Sequence, residues 1–475
     1  MTDRTPRAPR TLAVLAASAL LAACAPMIPD YERPAAPVAA AYPVPASAPA
    51  PADARAAADI DWREFFVDER LERLIAAALE NNRDLRIAAL NIEQARATAQ
   101  IRRADLWPTV GVGASGTRQP GPNGTQTSSY TVGLAVSAWE LDLFGRIRSL
   151  GEAALAQYLA TEETRKGVQT SLIASVANTY LALRADEQLL AVTERALATR
   201  EDSLRLTRLK FDNGVSSELD VRQAESLLEA ARVSLAQLTR QRATDENALT
   251  LLIGQPLPAD LPAGLALTDQ RLLPDLPAGL PSDLLTRRAD VRAAEQQLLA
   301  ANANIGAARA AFFPRITLTG SVGVASTDLD RLLGHGRAAW TFMPQLLLPI
   351  FDAGRNQANL EVAQVTRDIA VAQYERTIQT AFREVADALA GRATLGEQLR
   401  AQQAQTEAEE ARFRLADLRY RNGVASYLDV LDAQRALLAA QQALVQTQAQ
   451  QVQNLVTVYR VLGGGWSERE ATAAR

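Results

Sequence analysis

The chain is poor in the residues that build reactive centres. Its 475 residues include one Cys and one His. One Cys cannot close an internal disulfide, and one Cys with one His cannot assemble a thiolate–imidazole metal site. A Cys–His nucleophilic pair would require the two lone copies to meet. Formal net charge is −4, which supplies no basic field for nucleic acid. Lys is nearly absent, with Lys166 and Lys210 the only two. Proline is scarce only in places: none occurs in 123–255 or after residue 349, whereas eight fall within 26–51 and six within 256–281. Proline costs about 3 kcal/mol inside a helix, so the two Pro-free spans read as long helical regions. The two clusters read as breaks.

What is present begins with Arg4, Arg7 and Arg10 ahead of an apolar stretch, 11–23. That stretch is shorter than the ~20 residues needed to span a bilayer, and the pattern is that of an export signal. It ends in Leu21-Ala22-Ala23-Cys24, which resembles the bacterial lipoprotein signal. The resemblance implies cleavage after 1–23 and a covalent lipid on Cys24. The next residue is Ala25, not the Asp that resembles an inner-membrane retention signal, which favours the outer membrane. The Pro/Ala-rich residues 24–59 read as an extended tether.

The rest of the chain is duplicated. Asn213-Gly214-Val215 returns as Asn422-Gly423-Val424, and Gly145-Arg146 as Gly354-Arg355, both at an offset of 209 residues. Trp107-Pro108 returns as Phe313-Pro314 at 206. Two copies make a duplication rather than a solenoid. The expected repeats are 60–255 and 282–466, joined by the Pro-rich link 256–281 and followed by a tail, 467–475. Each repeat reads as helix, two strands, a very long helix, an Asn-Gly turn and a returning helix. The strands are expected near 108–118, 130–141, 315–325 and 340–349, and the hairpins at 145–254 and 354–463. A 66-residue helix would span about 100 Å. The returning helices carry a 3–4 apolar stripe that turns polar at Arg242 and Asp245, and again at Gln451 and Asn454. A register-setting polar layer and a solvated lining both account for that.

The strand segments alternate. Ile316, Leu318, Val322 and Val324 interleave with Thr317, Thr319, Ser321 and Gly323, one apolar face and one small polar face at membrane-strand length. Four strands cannot close a membrane barrel, because unpaired edges are not tolerated in lipid. Membrane strands here therefore demand an oligomer. Gly111-Val112-Gly113-Ala114-Ser115-Gly116 matches a dinucleotide fingerprint, but no helix opens after it. His335 is expected in the loop between the last two strands, with no catalytic part.

In the order and spacing of these features the chain resembles the outer-membrane factors of tripartite efflux pumps, the TolC/OprM type, lipoprotein branch. The features that carry it are the Cys24 signal, Pro29-Asp30-Tyr31-Glu32-Arg33-Pro34, the duplicated unit, the run from Asn422 to Gln434, and Leu462-Gly463-Gly464-Gly465-Trp466. The resemblance implies a mixed α+β, mainly α fold: a homotrimer with a shared twelve-stranded outer-membrane β-barrel and a long periplasmic α-helical barrel. It implies a passive exit duct rather than an enzyme, without cofactors beyond the lipid. Its partners would be a periplasmic adaptor of the membrane-fusion type, an inner-membrane transporter of the resistance-nodulation-division type, and outer-membrane lipid. A duct for type I protein secretion is the alternative. An enzyme or binding lipoprotein is disfavoured by the missing acid–base and metal clusters.

By position in the motif, the resemblance assigns Asp429 and Asp432 to acidic rings at the periplasmic tip and Leu428 to the apolar constriction. It assigns Asp220 to the gating acid of the first repeat and Tyr420 to an aromatic that ties the gate shut. Some members carry a gating Arg where this chain has Ala425, so closure is expected to lean on Leu428. From the residues alone, Asp429 and Asp432 stand three apart and can share a helix face, and first-turn acids also suit the helix dipole.

Overall fold

The computed structural model describes residues 26–43, 55–120, 124–270, 272, 276–277 and 281–466. Cys24, the export signal 1–23 and the tail 467–475 lie outside the described residues. In the first repeat, helices α1 (Glu69–Asn81) and α2 (Arg83–Ala104) lead to strands β1 (Val110–Pro120) and β2 (Gln126–Leu141). Helix α3 (Arg146–Asp212) and the returning α4 (Glu218–Ile253) follow. The second repeat gives α5 (Ala289–Ala310), β3 (Arg315–Ser326), β4 (Arg337–Leu347), α6 (Arg355–Arg421) and α7 (Tyr427–Val461). Helices α3 and α6 each run 67 residues without a break, as the absence of proline allows. The expected loop before β4 contains a short helix, Leu332–His335, so His335 ends a helical turn rather than lying in plain loop.

Both long helices start with the same device. Asp142 accepts hydrogen bonds from the Ile147 and Arg148 N–H groups at 3.0 and 2.9 Å. Asp352 accepts from Gly354 and Asn356 at 3.0 and 2.9 Å. These carboxylates satisfy orphan donors of the first turn. Gly145, at φ 70°, serves a second purpose: a Cβ there would lie 2.5 Å from the Pro26 Cα.

The chain divides into two compact units. Among the described residues the first holds 26–36, 90–162 and 293–376, and the second 37–89, 163–292 and 377–466. The first unit contains one antiparallel sheet in the order β1-β2-β3-β4. The outer strands β1 and β4 each have a neighbour on one side only. A bulge between Val136 and Trp139 re-aims β2, with Ala138 at φ 50° and its N–H held by the Thr319 hydroxyl at 3.1 Å. Opposite residues of an antiparallel pair share a face. Register therefore puts Thr131, Ser115, Thr317, Thr319, Ser321 and Thr341 on one side. Trp340, Phe342, Leu346, Leu318 and Val322 fall on the other. Residues 27–33, expected as part of a tether, are extended and lie along α5. Their carbonyls at Met27 and Pro29 accept from Arg309 and Asn302 at 3.3 and 2.8 Å, and Arg33 donates from Nε and Nη2 to the two Glu295 carboxylate oxygens at 2.7 and 2.9 Å.

The second unit has a dense core where the helices converge. Phe65 stacks on Tyr459 with ring centroids 4.0 Å apart, and the Tyr459 hydroxyl donates to the Ile60 carbonyl at 2.7 Å. Buried Asp68 caps α1 through Arg70 N–H and also accepts from Tyr180, Leu265 and Gln270 at 2.7, 3.0 and 2.8 Å. Four donors compensate a carboxylate that burial would otherwise penalise, and they pin the Pro-rich link to the helices. No helix among the described residues is long and apolar enough to cross a membrane. At the polar positions of the returning helices, Asn454 donates to the Ala388 carbonyl at 3.2 Å across the α6–α7 seam, as a register-setting layer would, whereas Arg242 is exposed, as a solvated lining would be.

Candidate functional site

The candidate residues gather at two turns of the second unit. After α3, Asn213 N–H returns to Leu209, and Gly214, at φ 73°, and Val215 close on Phe211 and Lys210 at 2.9 Å each. After α6 the same bonds recur: Asn422 to Leu418, Gly423 to Tyr420 and Val424 to Arg419, with Gly423 again at φ 73°. This is a Gly-terminated helix end. A left-handed residue is needed at the turn, which glycine adopts without a Cβ penalty.

Each returning helix then opens on a serine. Ser217 Oγ accepts from Asp220 N–H at 3.1 Å, while the Asp220 carboxylate accepts from Ser217 N–H at 3.1 Å and Ser216 Oγ at 2.9 Å. Asp429 does the same at the second turn, accepting from Ser426 N–H and Oγ at 3.2 Å each. Both acids complete capping boxes. Burial would raise the Asp220 carboxyl, but the hydrogen bonds from Ser217 and Ser216 outweigh it and hold the group below the usual carboxylate range.

Tyr420 is buried between the hairpins, in a cluster with Leu204, Val221, Leu228, Tyr427 and Leu431. Its ring centroid is 5.4 Å from that of Tyr427. Lys210 Nζ sits 3.6 Å over the Tyr420 ring and donates to the Tyr420 carbonyl at 3.4 Å. Burial pushes both phenols up, and the nearby Asp220 carboxylate adds to each. Arg200, buried alongside, donates to the Leu227 carbonyl at 2.9 Å, and burial lowers its affinity for the proton.

The fold thus brings Asp220 and Tyr420 together and leaves Leu428, Asp429 and Asp432 outside that cluster. Leu428 is 59% exposed, and its counterpart Leu219 is 65% exposed. Asp432 faces outward and is paired with Arg412 of α6, which also reaches Glu409 at 3.2 Å. Tyr427, Lys210 and Arg412 were not singled out from the sequence. Lys210 carried a signal in its rarity, and Ser-x-x-Asp at both turns is the pattern by which the capping boxes could have been found. Among the described residues no group of three His, Cys, Asp or Glu side chains could hold a metal ion.

A model of the outer membrane efflux protein family matches residues 74–255 and 280–464. The chain is 51% identical over 457 residues to the solvent efflux pump outer membrane protein SrpC of Pseudomonas putida, spanning 94% of this chain and 97% of that one. It is 49% identical over 472 residues to the toluene efflux pump outer membrane protein TtgC of the same species, spanning 98% and 97%. Among solved structures, the open state of the Neisseria gonorrhoeae MtrE outer membrane channel superposes with a TM-score of 0.85 at 43% identity, over 93% of this chain and 99% of that one.

Proposed function

The chain belongs to the outer membrane efflux protein family, and from that premise we propose that it is the exit duct of a tripartite drug and xenobiotic efflux pump. It conducts cargo passively and carries out no chemistry of its own. The carrying observation is the sheet: four strands with an apolar face, a polar face and outer strands that have one neighbour each. Such a sheet is tenable in lipid only when β1 of one protomer pairs with β4 of the next. Three protomers then enclose a twelve-stranded bore. The long hairpins continue the duct through the periplasm to an adaptor of the membrane-fusion type and an inner-membrane transporter of the resistance-nodulation-division type. A lipid on Cys24 adds a second hold on the outer membrane. The solvent and toluene pumps named among its relatives favour apolar cargo.

At the hairpin tips, Tyr420 with Tyr427 and Lys210 holds the two hairpins of a protomer together. Leu428 and Asp432 are the exposed residues that threefold repetition gathers around the pore. Asp220 and Asp429 act first as caps and so set the direction in which the returning helices leave the turn. The test is a planar bilayer experiment on detergent-purified protein. A trimer with single-channel conductance is the expected result, and a monodisperse monomer without pore activity would overturn the reading. Cys24→Ser should be exported without lipid, which mass spectrometry of the mature protein reads.

A further inference from the structure

The polar face of the sheet carries a charge arrangement that the duct reading does not require. The four strands hold four charged residues in all: Arg118, Glu140, Arg315 and Arg337. Arg118 has the parity of the apolar face, two residues from the outer end of β1. The other three share the polar face. Arg315 lies two residues from Thr317, which pairs with Glu140, and Arg337 pairs with Ala325, eight residues along β3 from Thr317. Arg315 marks the end of the sheet next to the helices, and Arg337 the end next to the loop. The strand rise puts about 33 Å between these two levels. Thr, Ser, Gly, Ala, Gln and Met fill the face between them.

Glu140 does not offset both arginines. Its carboxylate is bound by Arg146 through two bonds of 2.8 Å and by Arg315 at 2.6 Å. The Glu140 side chain is 9% exposed, while Arg315 remains 57% exposed. Two guanidiniums therefore share one buried carboxylate, Asp142 and Asp105 also act on Arg146, and Arg315 is the partner left accessible. Nearby Asp142 is matched separately by Arg148 at 3.1 Å. A cavity of about 330 Å³ opens beside the triad, lined by Arg146, Arg315 and Arg355 together with Glu140 and Asp142.

We propose that these residues make the barrel bore an anion-favouring filter, with one arginine level at each end and a neutral polar stretch between. The proposal rests on the duct reading and adds a cargo preference to it. Solutes bearing a carboxylate, sulfonate or phosphate, and inorganic anions, pass more readily than cations of the same size. In the trimer each level is present three times, and rings of like charge in a low-dielectric wall concentrate counter-ions.

The test is the reversal potential of the trimer in a planar bilayer across a potassium chloride gradient. Arg315→Gln combined with Arg337→Gln should lower the chloride-to-potassium permeability ratio by about twofold or more. Glu140→Gln should raise it, because it leaves the arginines uncompensated. Opposite signs separate an electrostatic role from a structural one, since loss of packing would move both variants alike. If the double variant does not assemble, Arg337→Gln alone, distant from the triad, should still lower the ratio. An unchanged ratio at normal conductance, or a shift of the same sign in both variants, overturns the filter and leaves the duct intact. Absence of any conductance in the wild-type trimer overturns the duct, and the filter with it.

Discussion

At an offset of 209 residues every backbone device of the first hairpin tip returns in the second. Gly214 answers Gly423, Ser217 answers Ser426, Asp220 answers Asp429, and exposed Val215 and Leu219 answer exposed Val424 and Leu428. The side chains around those devices do not return. Tyr420 replaces Phe211, Tyr427 replaces Glu218, Asp432 replaces Gln223, and Arg412 replaces Ser203. The first tip presents Phe211 to solvent at 42% exposure, whereas Tyr420 is buried at 8%. What the repeats hold in common ends one helix and starts the next. What they hold apart joins one hairpin to the other or faces outward. Duplication thus separates residues needed to turn the chain from residues free to acquire a role, and it moves Asp220 and Asp429 towards the first group.

Tyr420→Ala should lower the local stability of the tips by about 3–5 kcal/mol, the usual loss for a buried aromatic, while Phe211→Ala should cost under about 1 kcal/mol, as surface changes do. Hydrogen exchange over both turns reads the difference, and equal losses would break the comparison. The next pair tests the symmetry. Gly214→Ala and Gly423→Ala should each cost about 1–2 kcal/mol, because each forces a Cβ into the left-handed region. A clear inequality would mean that one turn has freedom the other lacks. Ser217→Ala and Ser426→Ala should follow at about 1 kcal/mol each.

A pH titration sharpens the same point at smaller amplitude. The Asp220 carboxyl is held below its ordinary value in the folded chain. Its contribution is therefore fully present above the unfolded value of about 3.9 and is lost as the pH falls through the lower folded value. Protection from exchange at the first turn, taken relative to the intrinsic rate at each pH, should fall below about pH 4 in the wild type, and Asp220→Asn should flatten that part of the profile. A variant that retains the full acid response would assign it to another group. The smallest stability effect belongs to the Arg412–Asp432 pair, which is exposed on both sides. Asp432→Ala should leave exchange unchanged yet raise leak through the trimer.

The fold was legible where the signal was periodic or local. Proline-free spans announced the unbroken α3 and α6, and two Asn-Gly turns announced where they end. Alternation along 315–325 announced the two faces of the sheet. Residues 27–33 were legible only as an extended segment, because their partners Glu295, Asn302 and Arg309 lie more than 260 positions away. The tip was legible in part. Tyr420 and Asp220 were singled out by resemblance, and their proximity follows from packing of the two repeats. The contact of Lys210 with Tyr420 joins helices 210 positions apart and leaves no spacing to read. Leu428 could be placed at a turn but not on a face, since a single exposed leucine has no pattern of its own.

We propose that the second tip does more of the gating than the first, and single-channel conductance of Leu428→Ala and Leu219→Ala trimers distinguishes the two. The two leucines occupy equivalent positions with nearly equal exposure, so the substitution is matched on both sides. Leu428→Ala should raise conductance and the passage of bulky antibiotics well above the wild type, with Leu219→Ala close to it. Equal responses, or a larger one from Leu219→Ala, would contradict it.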